Sequence, residues 1–171
     1  FQINQDHYAH IIAAYAPTQI KSEAEPQLRD DFYNELNHLT SKHRKDKHLI
    51  LILGDFNAKT GSGQSNYPEN IGKFGKGLLN SNGEHLLNYA KENDLVLTNT
   101  LFNHKFAHRT TWTSKERIIP HLAFDGNIRR NPYRNQIDYI ITKHLHKPLF
   151  HDSRSYSGIS TQTDHKLVKA V

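Results

Sequence analysis

A chain of 171 residues without cysteine has room for one domain, which at this size buries roughly two-thirds of the surface its extended form exposes, and it has no disulfide, thiolate nucleophile or thiolate metal site. Its 22 Lys and Arg against 17 Asp and Glu give a net charge of +5, which suits a polyanionic partner but is also what solubility asks for. No apolar run approaches the roughly 18 to 20 residues of a membrane span, and Phe1 to His10 is too polar for a signal peptide.

Tyr8 to Ala14 is short, apolar and stopped by Tyr15-Ala16-Pro17, so it reads as an inner strand running into a loop. From Ser22 to His43 the residues Leu28, Phe32, Leu36 and Leu39 recur at helical spacing, with Ser22 and Glu25 spaced as a capping box and Pro26 suited to a first turn. An amphipathic helix lying on a sheet is expected there. Leu49 to Leu53 is apolar without alternation, as in a strand of a sheet covered on both faces. Strand, helix and strand in that order predict an α/β arrangement.

Gly54 to Gly83 holds seven of the nine glycines and no period, so it reads as a long loop, and loops of that length in compact domains tend to be functional or disordered. Ser81 to Asn93 is expected to be a second helix, capped by Ser81 with Glu84 and apolar through Leu86, Leu87 and Ala90. Leu95 to Thr98, Thr110 to Thr113, Gln136 to Thr142, Leu149 to Tyr156 and Lys166 to Val171 are further short strands. No repeat or linker divides the chain.

Polar groups stand at several strand ends. Tyr15 follows Ile11-Ile12, Asp55 and Asn57 follow Leu49 to Leu53, Asp138 lies inside Gln136 to Ile141, and Asp164-His165 precede Leu167-Val168. A carboxylate beside Ile137, Tyr139, Ile140 and Ile141 needs either the solvated face of an edge strand or a partner, because an unpaired buried charge costs several kcal/mol. Each feature alone has a plainer reading: Asp55 to Asn57 as an Asx turn, Asp164-His165 as a surface pair, Tyr15 as a strand terminator and Trp112 as a core ring.

Together and in this order they resemble the endonuclease/exonuclease/phosphatase family of metal-dependent phosphoesterases: Tyr15-Ala16-Pro17, Gly54-Asp55-Phe56-Asn57, Thr111-Trp112, Gln136 to Ile140 and Asp164 to Val168. Lys59-Thr60-Gly61 after the second motif, the spaced Gly72, Gly75 and Gly77, Asn82-Gly83 with Leu86-Leu87, and Asn99-Thr100 with Phe102 look like the endonuclease domain of LINE-type, non-LTR retrotransposons and their host-encoded relatives. The resemblance implies part of a four-layer α/β sandwich of mixed sheets flanked by helices, DNase I-like, and one domain over residues 1–171.

It also implies hydrolysis of a phosphodiester by in-line attack of water with Mg²⁺, or Mn²⁺ in its place, on DNA as substrate. By the resemblance Asp55 orients or deprotonates that water, Asn57 holds the water or a phosphate oxygen, His165 donates to the phosphate and Asp138 orients His165. Asp164 would bind the metal, Tyr15 would contact phosphate, and Trp112 would wall the pocket. An abasic-site nuclease or another phosphoesterase of the family, and a non-catalytic nucleic-acid-binding remnant, are the competing readings.

The family's early Asn and metal-binding Glu precede the Tyr-Ala-Pro segment, and Glu23, Glu25 and Glu35 do not occupy that place. Thr163 stands where Ser usually precedes Asp-His. A chain that begins at Phe1 and holds no Met is therefore expected to lack the N-terminal strands, to leave a sheet face uncovered and to be poorly active. A reverse transcriptase downstream in the same polypeptide and an intracellular location, nuclear or cytoplasmic with no membrane contact, belong to the same expectation.

Overall fold

The computed structural model describes residues 1–4, 7–19, 25–42, 48–114, 119–122, 128–131, 133–156, 158 and 163–171. In chain order the elements are β1 (Gln2–Asn4), β2 (His7–Tyr15), α1 (Glu25–Ser41), β3 (Leu49–Asp55), α2 (Ser81–Glu92), β4 (Leu95–Leu97), β5 (Trp112–Thr113), β6 (Ile119–Leu122), β7 (Ile128–Asn131), β8 (Arg134–Asn135), β9 (Asp138–Lys143), β10 (Ser153–Tyr156) and β11 (Leu167–Ala170). Short 3-10 turns lie at Thr98–Thr100, Phe106–His108 and His144–Leu149.

The main sheet has five strands in the order β1-β2-β3-β9-β4. β2 and β3 run parallel, as a strand-helix-strand crossover through α1 requires, while β9 is antiparallel to both β3 and β4. The result is a mixed sheet with helices on one face. Phe32 and Leu36 of α1 and Leu86, Leu87 and Ala90 of α2 join Ile50, Ile52, Tyr139 and Ile141 of the sheet in one apolar core.

Successive residues of a strand point to opposite faces, and this separates the two sides of β3. Ile50 and Ile52 are buried under the helices, whereas Leu49, Leu51 and Leu53 are only half-buried on the other side. The apolar run therefore does not mark equal cover on both faces. On that second face the antiparallel pair β10-β11 lies over the β9 end, joined to it by Thr98, whose hydroxyl donates to the Ile140 carbonyl at 2.9 Å and meets Ser153 Oγ at 3.0 Å. The β2 end stays open, with Ile11 60 % and Tyr15 72 % exposed.

Other expectations need adjustment. Leu28 and Leu39 of α1 are exposed rather than packed, so only the middle of that helix grips the sheet; Ser22 of its expected cap lies outside the described residues. The cap of α2 is Asn80, not Ser81: its side-chain oxygen accepts from the Gly83 N–H at 2.9 Å and from the Lys59 N–H at 2.9 Å. One acceptor thus closes a helix and pins a loop. β9 starts at Asp138, which places that residue at a strand end instead of inside the strand. β6 and β7 form an additional antiparallel pair.

The expected loop from Gly54 to Gly83 begins inside β3 and ends inside α2; residues 56–80 between them lack helix and strand but are packed, with Thr60, Asn70 and Ile71 buried. Gly75 lies against the Gly61 carbonyl, where a Cβ would come within 1.9 Å of the oxygen, and a Cβ on Gly54 would stand 1.8 Å from the Ala14 carbonyl oxygen of β2. Gly54→Ala must therefore push β2 off β3, and is expected to lower unfolding stability by about 3 kcal/mol, the upper end of the cost of overpacking. Urea unfolding checks this; a midpoint equal to wild type would contradict the close approach.

Candidate active site

Directly paired residues of neighbouring strands place their side chains on the same face. Tyr15 pairs with Asp55 in the parallel register and Asp55 pairs with Asp138 in the antiparallel one. Three polar side chains from β2, β3 and β9 therefore form a row on the face turned away from the helices. The pairing continues past Asp55, because the Ala16 N–H donates to the Asp55 carbonyl at 2.8 Å and the Phe56 N–H to the Ile137 carbonyl at 2.9 Å.

The chain then turns sharply. Asn57 adopts a left-handed backbone conformation with φ of 48°, which Asn tolerates better than most residues. Its N–H donates to Asp55 Oδ1 at 2.8 Å, and its side-chain amide donates to the Ala16 carbonyl at 2.8 Å. The turn and site readings of Gly54 to Ala58 thus describe the same geometry. The Asx bond holds Oδ1 and leaves Oδ2 facing outward, where it stands 3.8 Å from His165 Nε2.

His165 reaches the row from the second layer. Its Nδ1 lies 3.0 and 3.2 Å from the two Asp138 oxygens, and since an ionised carboxylate only accepts, this nitrogen carries the proton. The Asp138 carboxylate has its partner between the layers, which answers the question raised by its apolar neighbours. The Asp55, Asp138 and His165 ligand atoms lie within 4.8 Å of one another, a group able to hold a metal ion.

Asp164 arrives by a different route. The chain at His165 bridges antiparallel to Trp112, with the Thr113 N–H donating to the Asp164 carbonyl at 3.0 Å and the Lys166 N–H to the Thr111 carbonyl at 2.7 Å. Trp112 Nε1 donates to Asp164 Oδ2 at 2.9 Å. Trp112 is therefore the tether of Asp164, a connection that neither the pocket-wall nor the core reading anticipated. Tyr15 lies in the row but its ring is largely exposed.

Burial raises the pKa of Asp55, against the lowering effects of the Asn57 N–H and His165 and with a further upward push from Asp164. Asp138 is likewise raised by burial, opposed by hydrogen bonding to Thr111 and by His165, with the Asp55 charge adding to the rise. Clustered carboxylates withdrawn from water hold protons more tightly than isolated ones.

Sequence reasoning assigned no role to the residues that brace this row. Asn99 is buried; its amide donates to the Asp138 carbonyl at 3.0 Å and its oxygen accepts from the Ile140 N–H at 3.3 Å. Asn82, also buried, donates to the Pro17 carbonyl at 3.0 Å and the Asn57 carbonyl at 3.3 Å. The Thr111 hydroxyl oxygen accepts from the Ile137 and Asp138 N–H groups at 3.0 and 3.1 Å. Buried amides that satisfy backbone groups in this way are fixed by packing, and the Asn-Gly and Asn-Thr pairs in the sequence were their only signal.

The chain is thus a mixed α/β domain with helices on one face of its sheet and a carboxylate-imidazole cluster at the strand ends. Residues 6–165 match the Endonuclease/Exonuclease/phosphatase family, and the chain belongs to it. Craniofacial development protein 2 of Bos taurus is 36 % identical over 160 residues, which are 94 % of this chain and 24 % of that protein. The chain thus spans about a quarter of the curated relative. Among solved structures, the 3'-5' exonuclease NExo from Neisseria meningitidis superposes with a TM-score of 0.61 at 16 % identity, covering 94 % of this chain and 60 % of its own. The endonuclease domain of TRAS1, a telomere-specific non-LTR retrotransposon, gives a TM-score of 0.52 at 13 % identity, covering 81 % and 49 %. These two likenesses establish the fold.

Because the Asp55 carboxyl holds its proton more tightly folded than unfolded, its contribution to stability is fully present below the ordinary carboxylate range near pH 4 and is lost as pH rises through the elevated folded value. Asp55→Asn is therefore expected to raise the thermal unfolding midpoint at pH 7, with the gain shrinking toward pH 4. An equal or lower midpoint at pH 7 would contradict the strained-carboxylate reading.

Proposed function

We infer that this chain is the C-terminal part of a metal-dependent phosphodiesterase domain that nicks DNA, from a retrotransposon or a host protein derived from one. The observation that carries the reading is the convergence of Asp55, His165 and Asp138 at the strand ends. Asp55 Oδ2 and His165 Nε2 stand 3.8 Å apart, beyond hydrogen-bond distance, so a water held by the one and a phosphate oxygen held by the other would be neighbours.

Asp55 accepts the proton of the water. Burial makes it a stronger base than an exposed aspartate, and its fixed Oδ1 leaves Oδ2 as the working oxygen. His165, oriented through Nδ1 by Asp138, donates from Nε2 to a non-bridging phosphate oxygen as the imidazolium. Asn57 keeps one amide N–H in the turn with Ala16 and offers the rest of the group to the water or phosphate. Tyr15, in the same row, contacts phosphate through its hydroxyl.

Carboxylate oxygens are what a hard cation such as Mg²⁺ or Mn²⁺ takes, and Mg²⁺ typically uses one or two of them with waters and substrate phosphate. Asp164 and Asp55 would hold the cation in this reading, while both Asp138 oxygens face His165 Nδ1. The metal would neutralise phosphate charge. Glu35 is exposed on α1 and Glu23 lies outside the described residues, so a further metal ligand and the cover over Ile11 and Tyr15 are proposed to come from outside the described residues.

The test is relaxation of supercoiled plasmid with Mg²⁺ by the chain and by a polypeptide extended upstream of Phe1. The extended form is expected to nick much faster, and Asp55→Asn or His165→Ala in it to lose about 10²-fold or more. Equal rates with and without the extension would overturn the shared-site reading. Unchanged nicking in both variants would refute catalysis here. Binding without any nicking would leave the non-catalytic reading, which the lack of a site Glu among the described residues favours.

A further inference from the structure

Beside the site, four cations gather from four separate segments. Lys76 comes from the glycine loop, Arg109 from the chain after the 3-10 turn Phe106–His108, Arg134 from β8 and Lys166 from the residue after His165. Lys76 Nζ donates to Thr110 Oγ1 at 3.2 Å and to the Arg134 carbonyl, and it stands 3.8 Å over the centre of the Phe106 ring. Lys166 Nζ donates to the Ala107 carbonyl at 3.3 Å. Lys76 is thus anchored on neutral acceptors.

Like charges held this close repel one another. The Lys76 pKa is pushed down to about 8 by burial and then by Arg134, Lys166 and Arg109. None of the ion pairs among the described residues involves Lys76, Arg109 or Arg134. Arg109 Nε is buried without a hydrogen-bond partner, a guanidinium N–H that ordinarily finds an acceptor. A fold tolerates a cluster of this kind most readily where an anion neutralises it.

Its position is tied to the row. Asn135, next to Arg134, pairs with Trp112, and the Lys76 N–H donates at 3.1 Å to Gln136, two residues before Asp138. Arg134 stands four residues before Asp138 in the chain and Lys166 directly follows His165, so an anion held by both is a near neighbour of a phosphate at His165. The exposed rings of Phe106 and Tyr133 beside the cations suit a nucleic acid better than an acidic peptide, since bases stack on such faces.

We propose that Lys76, Arg109, Arg134 and Lys166 form a second phosphate subsite that holds the nucleic-acid backbone beside the phosphate to be cut. This rests on the phosphodiesterase reading for its neighbour but concerns binding, and a metal-free experiment separates the two. Counterion release makes the logarithm of duplex affinity fall with the logarithm of salt by about 0.9 for each phosphate contact. Arg134→Gln with Lys166→Gln is expected to make the slope less steep by roughly 2, measured by fluorescence anisotropy on a duplex DNA oligonucleotide in EDTA. Lys42→Gln with Lys91→Gln removes the same charge from the residue after α1 and from α2, and is expected to leave the slope unchanged.

An unaltered slope in the first pair overturns the subsite, as does an equal change in both pairs, which would mean net charge alone. Absence of duplex binding by the parent chain overturns it as well. Matching unfolding midpoints for the two double variants establish that the difference is not one of folding. An unaltered slope in the first pair with nicking intact in the upstream-extended polypeptide would sink the subsite and leave the phosphodiesterase standing. An intact slope effect without any nicking would do the reverse.

Discussion

The site depends on one strand, β3, being held between a parallel neighbour and an antiparallel one in fixed register. Pairing of Tyr15 with Asp55 and of Asp55 with Asp138 decides which side chains share a face, and a slip of one residue in either ladder would turn a member of the row toward the helices. Gly54 permits the approach of β2 by offering no side chain to the Ala14 carbonyl. Ile50 and Ile52 then lock the register by burial under α1 and α2, since the same slip would bring polar or half-exposed positions into the core.

From that register follows the division of labour between the two faces. The helix face is a conventional apolar core and supplies stability. The other face carries acids from two strands and receives an imidazole and a further acid from the second layer, joined by the Trp112 to His165 bridge. Burial there works against the carboxylates, which is why Asp55 and Asp138 both hold protons more tightly than usual. Stability given up at such positions is characteristic of sites prepared for a charged ligand.

Much of this was legible in the chain. Leu49 to Leu53, Leu86-Leu87 with Ala90, and the polar residues after each strand marked the central strand, the second helix and the row, because burial leaves periodic apolar patterns. Less visible were contacts made by residues with no periodicity. Trp112 as the tether of Asp164, Asn99 and Asn82 as braces of backbone, and Asn80 in place of Ser81 as the α2 cap all involve amide or indole groups whose partners lie elsewhere in the chain. A capping box is a local pattern, and it lost to an asparagine that also satisfies Lys59, a partner 21 residues away.

The sequence by itself determined the two helices and the order of the strands that carry the site, the chemical types at strand ends and the family they resemble, since local propensity and motif spacing are written in neighbouring residues. Only the tertiary structure decided that Asp138 is a partner of His165 rather than a solvated edge charge, and that one face of β2 remains open. It alone brought cations from four segments to one place beside the site. These outcomes depend on which distant residues meet, and through-space pairing is set by packing and register rather than by the composition of any one segment.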